Sequence, residues 1–179
     1  MKNHSATVEN RVVLFTDIHD YSIVVSALGP DSVGFLQEFY EELGDIIVEH
    51  GGEIIKYLGD AILCIFSAES ENQAVACALK LREAYSNIVR RRNISGDTEL
   101  EIGISAGEVS IGIFGHRSLM QKDVFGEVVN RAATIGHHRG IAITESVYNK
   151  INTSYETNRL PDFEVKWQDE PLKIWEIVE

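Results

Sequence analysis

Hydrophobic positions along the chain switch between a period of two and a period near 3.6. Residues 12–15 (Val-Val-Leu-Phe) are a short apolar run of β type that ends on Thr16, Asp17 and Ile18, which predicts a buried strand with a carboxylate at its tip. After the Gly29-Pro30 breaker, Val33, Leu36, Phe39, Tyr40, Leu43, Ile46 and Ile47 recur at three- and four-residue spacing until Gly51-Gly52, so an amphipathic helix is predicted. Residues 53–57 and 61–66 are β-rich runs around Leu58-Gly59-Asp60, a hairpin with a second carboxylate in its turn. Ala74, Val75, Ala78, Leu79, Leu81 and Ile88 predict a second helix from about Ser70. Arg90, Arg91 and Arg92 at its end complement the helix dipole on a solvated face.

Residues 100–106 and 109–114 read as strands joined tightly at Gly107-Glu108, a second hairpin, followed by a less regular stretch over 116–123. A helical pattern over 127–135 is stopped by Gly136. Residues 140–143 suit a strand, Thr144 suits the cap of a short helix through Lys150, and 163–167 with 172–178 suit a final strand pair. The order is β-α-β-β-α-β plus additions. It predicts an α+β fold with a ferredoxin-like split β-α-β core (βαββαβ) and C-terminal additions, the helices packed on one face of an antiparallel sheet. A single domain over 1–179 is expected, with its core at about 11–151 and C-terminal strands at about 163–178.

Composition narrows the function. A chain of 179 residues buries enough surface to hold a core without disulfides or a structural metal. Its 16 Lys+Arg against 28 Asp+Glu give a net charge of −12, which opposes gripping nucleic acid by counterion release and adhesion to anionic membrane. Any phosphate the protein handles is therefore bridged by metal or by a few local cations. Cys64 and Cys77 have no CxxC spacing and read as buried thiols. Residues 1–11 contain no apolar stretch of signal type, and no run approaches the ~20 residues that span a bilayer, so a soluble, cytoplasmic protein is expected.

Asp17 and Asp60 each close a strand beside small or turn residues. In a ferredoxin-like sheet the first strand and the turn between the second and third can be neighbours, so the two carboxylates either converge or stand apart as a turn residue and a solvated hairpin tip. A convergent pair with few other ligands suits hard Mg²⁺ or Mn²⁺, which also takes waters and phosphate oxygens. His137 and His138 are adjacent, so their side chains diverge and do not share an ion. His19 reads as a solvent-exposed neighbour of Asp17.

Four words occur in order: Phe15-Thr16-Asp17-Ile18; Lys56-Tyr57-Leu58-Gly59-Asp60; Gly103-Ile104-Ser105-Ala106-Gly107 running on to Gly112 and Gly115; and Lys122-Asp123-Val124-Phe125-Gly126 with Val129-Asn130. Together they resemble the class III adenylate/guanylate cyclase catalytic domain over about residues 11–151, with a weaker match over 163–178. The resemblance implies that Asp17 and Asp60, helped by the Ile18 carbonyl, hold two divalent cations, Mn²⁺ or Mg²⁺. It implies that Lys56 and Asp123 read the base and that Asn130 orients the ribose. It also implies a homodimer with shared active sites, since the family draws the metal carboxylates from one domain and the base-reading residues from its partner, and this chain carries both sets.

Lys donates and Asp accepts, so Lys56 with Asp123 can address a ring nitrogen beside an exocyclic amine, as in adenine or cytosine; a plain surface salt bridge is the other use of the pair. Two departures from the family stand out. The arginine expected four residues after Asn130 is Thr134, and the expected Val-Lys-Gly-Lys word is Val165-Lys166-Trp167-Gln168. Arg131 lies one turn from Thr134 and is the candidate to replace the arginine, with Lys166 or Lys173 standing in for the lysine. The leading reading is conversion of a nucleoside triphosphate, ATP before CTP or UTP, to a 3′,5′-cyclic nucleotide and pyrophosphate. Alternatives are a pyrimidine cyclase of bacterial antiviral signalling and a non-catalytic, dimerising cyclase-like module.

Overall fold

The computed structural model describes residues 6–151, 153–165 and 170–178. Its elements run β1 (Thr7–Ile18), α1 (Tyr21–Leu28), α2 (Ser32–Glu49), β2 (Glu53–Leu58), β3 (Ala61–Phe66), α3 (Glu71–Arg91), β4 (Leu100–His116), β5 (Leu119–Phe125), α4 (Glu127–Ile135), β6 (Ile141–Thr144), α5 (Glu145–Tyr148), β7 (Thr157–Arg159) and β8 (Ile174–Ile177). The strands form one sheet in the order β2-β3-β1-β4-β6-β8-β7, with β5 paired to β4 off that path.

The α+β class and the βαββαβ order stand as the pattern predicts. The sheet, however, is covered on both faces. Along β1, Val12 and Leu14 join a core with Phe35, Phe39 and Leu43 of α2 and Val75, Ala78 and Leu81 of α3. Val13 and Phe15 turn the opposite way and pack with Leu63 and Ile65 of β3, Val124 of β5, and Val128 and Ala132 of α4. A strand buried on both faces loses its polar alternation, which is why residues 12–15 and 61–66 read as continuous apolar runs. The sheet is also mixed, because β6 joins β4 in parallel at Ile102 and Ile141.

The expected hairpin at Gly107-Glu108 does not form. β4 passes straight through it, with Gly107 opposite Arg11 and Glu108 opposite Asn10. The polar residues 7–11 extend β1 beyond its apolar run, and that ladder keeps β4 extended. The reversal falls instead between His116 and Leu119, and β5 pairs back from His116↔Leu119 to Ser110↔Phe125. Helix α1 was hidden in sequence because Ile23, Val24 and Val25 are β-branched and poor helix formers. Tertiary packing forms it, with Val24 fully buried. β7 is polar and short and carries no alternation to read.

Candidate active site

Asp17 and Asp60 are brought together. Thr16 pairs with Ile62 of β3, so the end of β1 lies beside the Gly59-Asp60 turn. The Tyr40 hydroxyl on α2 donates to the Gly59 carbonyl and braces that turn. The Ile18 amide donates to Asp17 Oδ1 at 3.0 Å, which orients the carboxylate, and Asp20, the N-cap residue of α1, adopts a left-handed conformation (φ 50°) that turns the chain away behind it. Burial and the adjoining Asp17 carboxylate push Asp60 above the ordinary carboxylate range, although its own backbone amide opposes the shift.

Two carboxylates held against each other, both part-buried, are a cation-seeking arrangement. Among the described residues no three His, Cys, Asp or Glu side chains already converge on one point. The remaining positions around an ion therefore fall to the Ile18 carbonyl, water and substrate oxygens, the oxygen-rich mixture that hard divalent ions take. On this chemistry the residues suit such an ion.

Lys56 and Asp123 also meet. The Lys56 ammonium donates to both Asp123 oxygens at 2.8 Å, and Asp123 Oδ1 accepts a further bond from the Val124 amide at 2.8 Å. β2 lies at one edge of the sheet and β5 hangs from β4, so the contact forms across the face that holds the second core. Lys56 spends two of its three hydrogens here, and Asp123 Oδ2 accepts one bond. The pair keeps a free donor and a free acceptor side by side.

Asn130 is exposed on α4. Arg131, on the same helix, reaches Glu127 Oε2 at 3.3 Å and leaves a buried Nε without a partner. Thr134 is half-buried one turn further on. Lys173 pairs with Glu145 Oε1 at 3.2 Å, beyond the Thr144 end of β6, away from the Ile141 end that neighbours Asp17 through β4. Lys166 lies outside the described residues, as does Trp167.

Two groups beside the carboxylates were not legible in sequence as site residues. Glu101, opposite Asp17 on β4, is 5% exposed and bonds His19 Nδ1 at 2.8 Å, so His19 is tied down rather than solvated. His137 Nδ1 stands 3.5 Å from Asp17 Oδ2, and its ring meets Phe15 edge-on at 6.2 Å between centroids. The helix end that delivers His137 rests on Gly103, where a Cβ would lie 2.1 Å from the Ala132 carbonyl oxygen and 2.5 Å from the Gly136 nitrogen. His138 turns away toward Glu176 at 3.9 Å, so the two histidines diverge as their adjacency requires.

Fold and site thus define a split-βαβ domain with paired carboxylates at one end of its central strands and a donor–acceptor pair on its β4–β5 arm. Residues 4–178 match the sequence model of the adenylate and guanylate cyclase catalytic domain. The chain belongs to that family. It is 31% identical over 188 residues to an adenylate cyclase of Anabaena cylindrica, an alignment covering 97% of this chain and 38% of that longer protein. Its fold is that of the adenylyl cyclase CyaB from P. aeruginosa, with a TM-score of 0.90 at 22% identity over 98% of this chain and 96% of the other. The guanylate cyclase domain of RhGC from Catenaria anguillulae, solved with GTP, superposes with a TM-score of 0.83 at 22% identity over 97% of this chain and 98% of the other.

Proposed function

We propose that this domain converts a nucleoside triphosphate to its 3′,5′-cyclic monophosphate and pyrophosphate. The observation that carries the reading is the convergence of Asp17 and Asp60 in a chain that separately carries a pre-formed Lys56–Asp123 pair. The ribose 3′-oxygen bonds to the α-phosphorus, the bond from that phosphorus to the β-phosphate oxygen breaks, and the hydroxyl proton leaves to solvent. Divalent ions at Asp17 and Asp60, Mn²⁺ or Mg²⁺, supply acidification of the hydroxyl and charge neutralisation on the phosphoryl oxygens.

The chain's own groups hold and orient. Asp17 and Asp60 provide the anionic floor, and the Ile18 carbonyl adds an oxygen. Lys56 offers its remaining N–H to a ring nitrogen while Asp123 accepts from the neighbouring amine, which favours adenine and cytosine over guanine. Asn130 hydrogen-bonds the ribose, and Arg131 meets charge developing on the α-phosphate in place of the arginine absent at Thr134. Lys166 is the candidate for the terminal phosphates.

The working form is a homodimer in which one copy supplies Asp17 and Asp60 and the other Lys56, Asp123 and Asn130. Exposed Ile113, Leu119, Met120 and Phe125 on the β4–β5 arm, with Tyr57 and Leu58 on β2, support such an association. ATP is the substrate put first, and CTP or UTP is the pyrimidine alternative, of which the Lys56–Asp123 pattern accommodates CTP through the exocyclic amine of cytosine. A cytoplasmic setting fits the acidic charge and the reduced thiols, and no described helix is long and apolar enough to cross a membrane. Thr134 in place of a cation favours one further reading, a nucleotide-binding module without turnover.

Incubating the purified protein separately with ATP, GTP, CTP and UTP in Mn²⁺ or Mg²⁺, and weighing the products, tests these readings. A cyclic monophosphate from one or more supports the cyclase. None from any, with nucleotide still bound, supports the module.

A further inference from the structure

We propose that His137 is a nitrogen ligand of the divalent ion held at Asp17, and that it makes this site favour Mn²⁺ over Mg²⁺. The inference rests on the two-carboxylate metal site proposed above and deepens it. Two ligands of one ion, each about 2.1 Å from it, stand roughly 3.0 Å apart at a right angle and about 3.4 Å apart at the tetrahedral angle. His137 Nδ1 and Asp17 Oδ2 are 3.5 Å apart, within the span one ion bridges with a small ring movement. The two Asp17 oxygens have separate surroundings: Oδ1 accepts from the Ile18 amide, and Oδ2 is the one that faces the imidazole.

The placement is built into the fold. Gly103 has no Cβ to hold α4 away, so the Ala132 carbonyl and Gly136 rest directly on β4 and the next residue is delivered over Asp17. The ring edge against Phe15 limits its swing. The following residues are anchored, His138 near Glu176 and Arg139 to Asp97 and Glu99. Among the described residues Asp17 is the only polar partner of the His137 ring, whose side chain is 63% exposed and so open to an arriving ion.

The chemistry follows from the donor set. Mg²⁺ requires a near-ideal octahedron and keeps oxygen ligands, whereas imidazole suits transition metals and Mn²⁺ accepts oxygen and nitrogen together. One imidazole beside the Asp17 carboxylate therefore shifts an oxygen site toward Mn²⁺.

The test is direct binding to the full chain without nucleotide: Mn²⁺ affinity from the free-ion EPR signal and Mg²⁺ affinity by competition, for wild type, His137→Ala, His137→Asp and Asp17→Asn. His137→Ala is expected to weaken Mn²⁺ about tenfold or more while Mg²⁺ changes little, and His137→Asp, which supplies oxygen instead, to narrow the Mn²⁺/Mg²⁺ ratio. Because the side chain is exposed, circular dichroism should show both His137 variants folded. Mn²⁺ affinity within twofold of wild type in His137→Ala, with loss in Asp17→Asn, overturns the role of His137 and leaves the carboxylate site standing. Equal losses of Mn²⁺ and Mg²⁺ in His137→Ala overturn the selectivity. Undiminished Mn²⁺ binding in Asp17→Asn removes the metal-site reading itself, and this inference with it.

Discussion

Lys56 on β2 holds both oxygens of Asp123 on β5 at 2.8 Å, closing the sheet's edge strand onto its arm across the second core. Side chains of the pair are 29% and 20% exposed, so its contribution to stability is modest, about 1 kcal/mol or less. Its contribution to activity should be far larger. Lys56→Met and Asp123→Asn are each expected to lower kcat/KM by about 10²-fold while shifting the midpoint of urea unfolding little. A double-mutant cycle read in both quantities checks this, and equal coupling in stability and activity would reduce the pair to a structural brace.

Arg131, three residues before Thr134, is the nearest Arg or Lys in sequence to the position where the family has its arginine. Arg131→Ala should cost about 10²-fold in kcat, the usual loss when a positioned charge at a developing oxyanion is removed. Steady-state rates within twofold of wild type would end its candidacy.

Sites shared between copies make a definite statement about mixtures. Asp17→Ala and Asn130→Ala chains are each expected to be inactive alone. Mixed in equal amounts they should recover about a quarter of wild-type activity, since half of the dimers are mixed and each rebuilds one of two sites. No recovery, with mixed dimers demonstrated by mass spectrometry, would place each site within a single copy.

Asp60 should trade stability against function. Burial and the neighbouring Asp17 carboxylate disfavour its charge, so Asp60→Asn is expected to raise the metal-free Tm while abolishing Mn²⁺ binding. Differential scanning calorimetry with and without Mn²⁺ checks both halves.

Gly103 predicts the opposite balance. A methyl group there meets the Ala132 carbonyl and the Gly136 backbone, neither of which can swing aside as a side chain does. Gly103→Ala should destabilise the fold by about 3 kcal/mol and displace the residue that faces Asp17. Unfolding titrations give the first effect and Mn²⁺ affinity the second.

How far these features could be read in advance differs by the range of the interaction that makes them. Local patterns were enough for α2, α3, α4 and the β2–β3 hairpin, because each carries its own periodicity, and glycines mark the ends of α2 and α4 and the turn of the hairpin. Partners decide the rest. Gly107-Glu108 looks like a turn until Asn10 and Arg11 are laid beside it, and α1 has no legible pattern of its own until Val24 finds its core. At the site, Asp17, Asp60, Lys56 and Asp123 stood out because they sit within recognisable words. Glu101 and His137 did not, since one is an acid inside a strand and the other half of a histidine pair that diverges. Only the register of β1 with β4, and the missing side chain at Gly103, bring them beside Asp17.

Both thiols of the chain, Cys64 on β3 and Cys77 on α3, lie fully inside the larger core, and burial pushes both upward, Cys77 to about 12. Neither is available as a thiolate while the sheet and α3 stay together. The protein therefore carries its own clock for opening: a thiol reagent in excess will label it only as fast as that layer separates, and the labelling rate measures, without any engineered reporter residue, how often the scaffold behind Asp17 lets go.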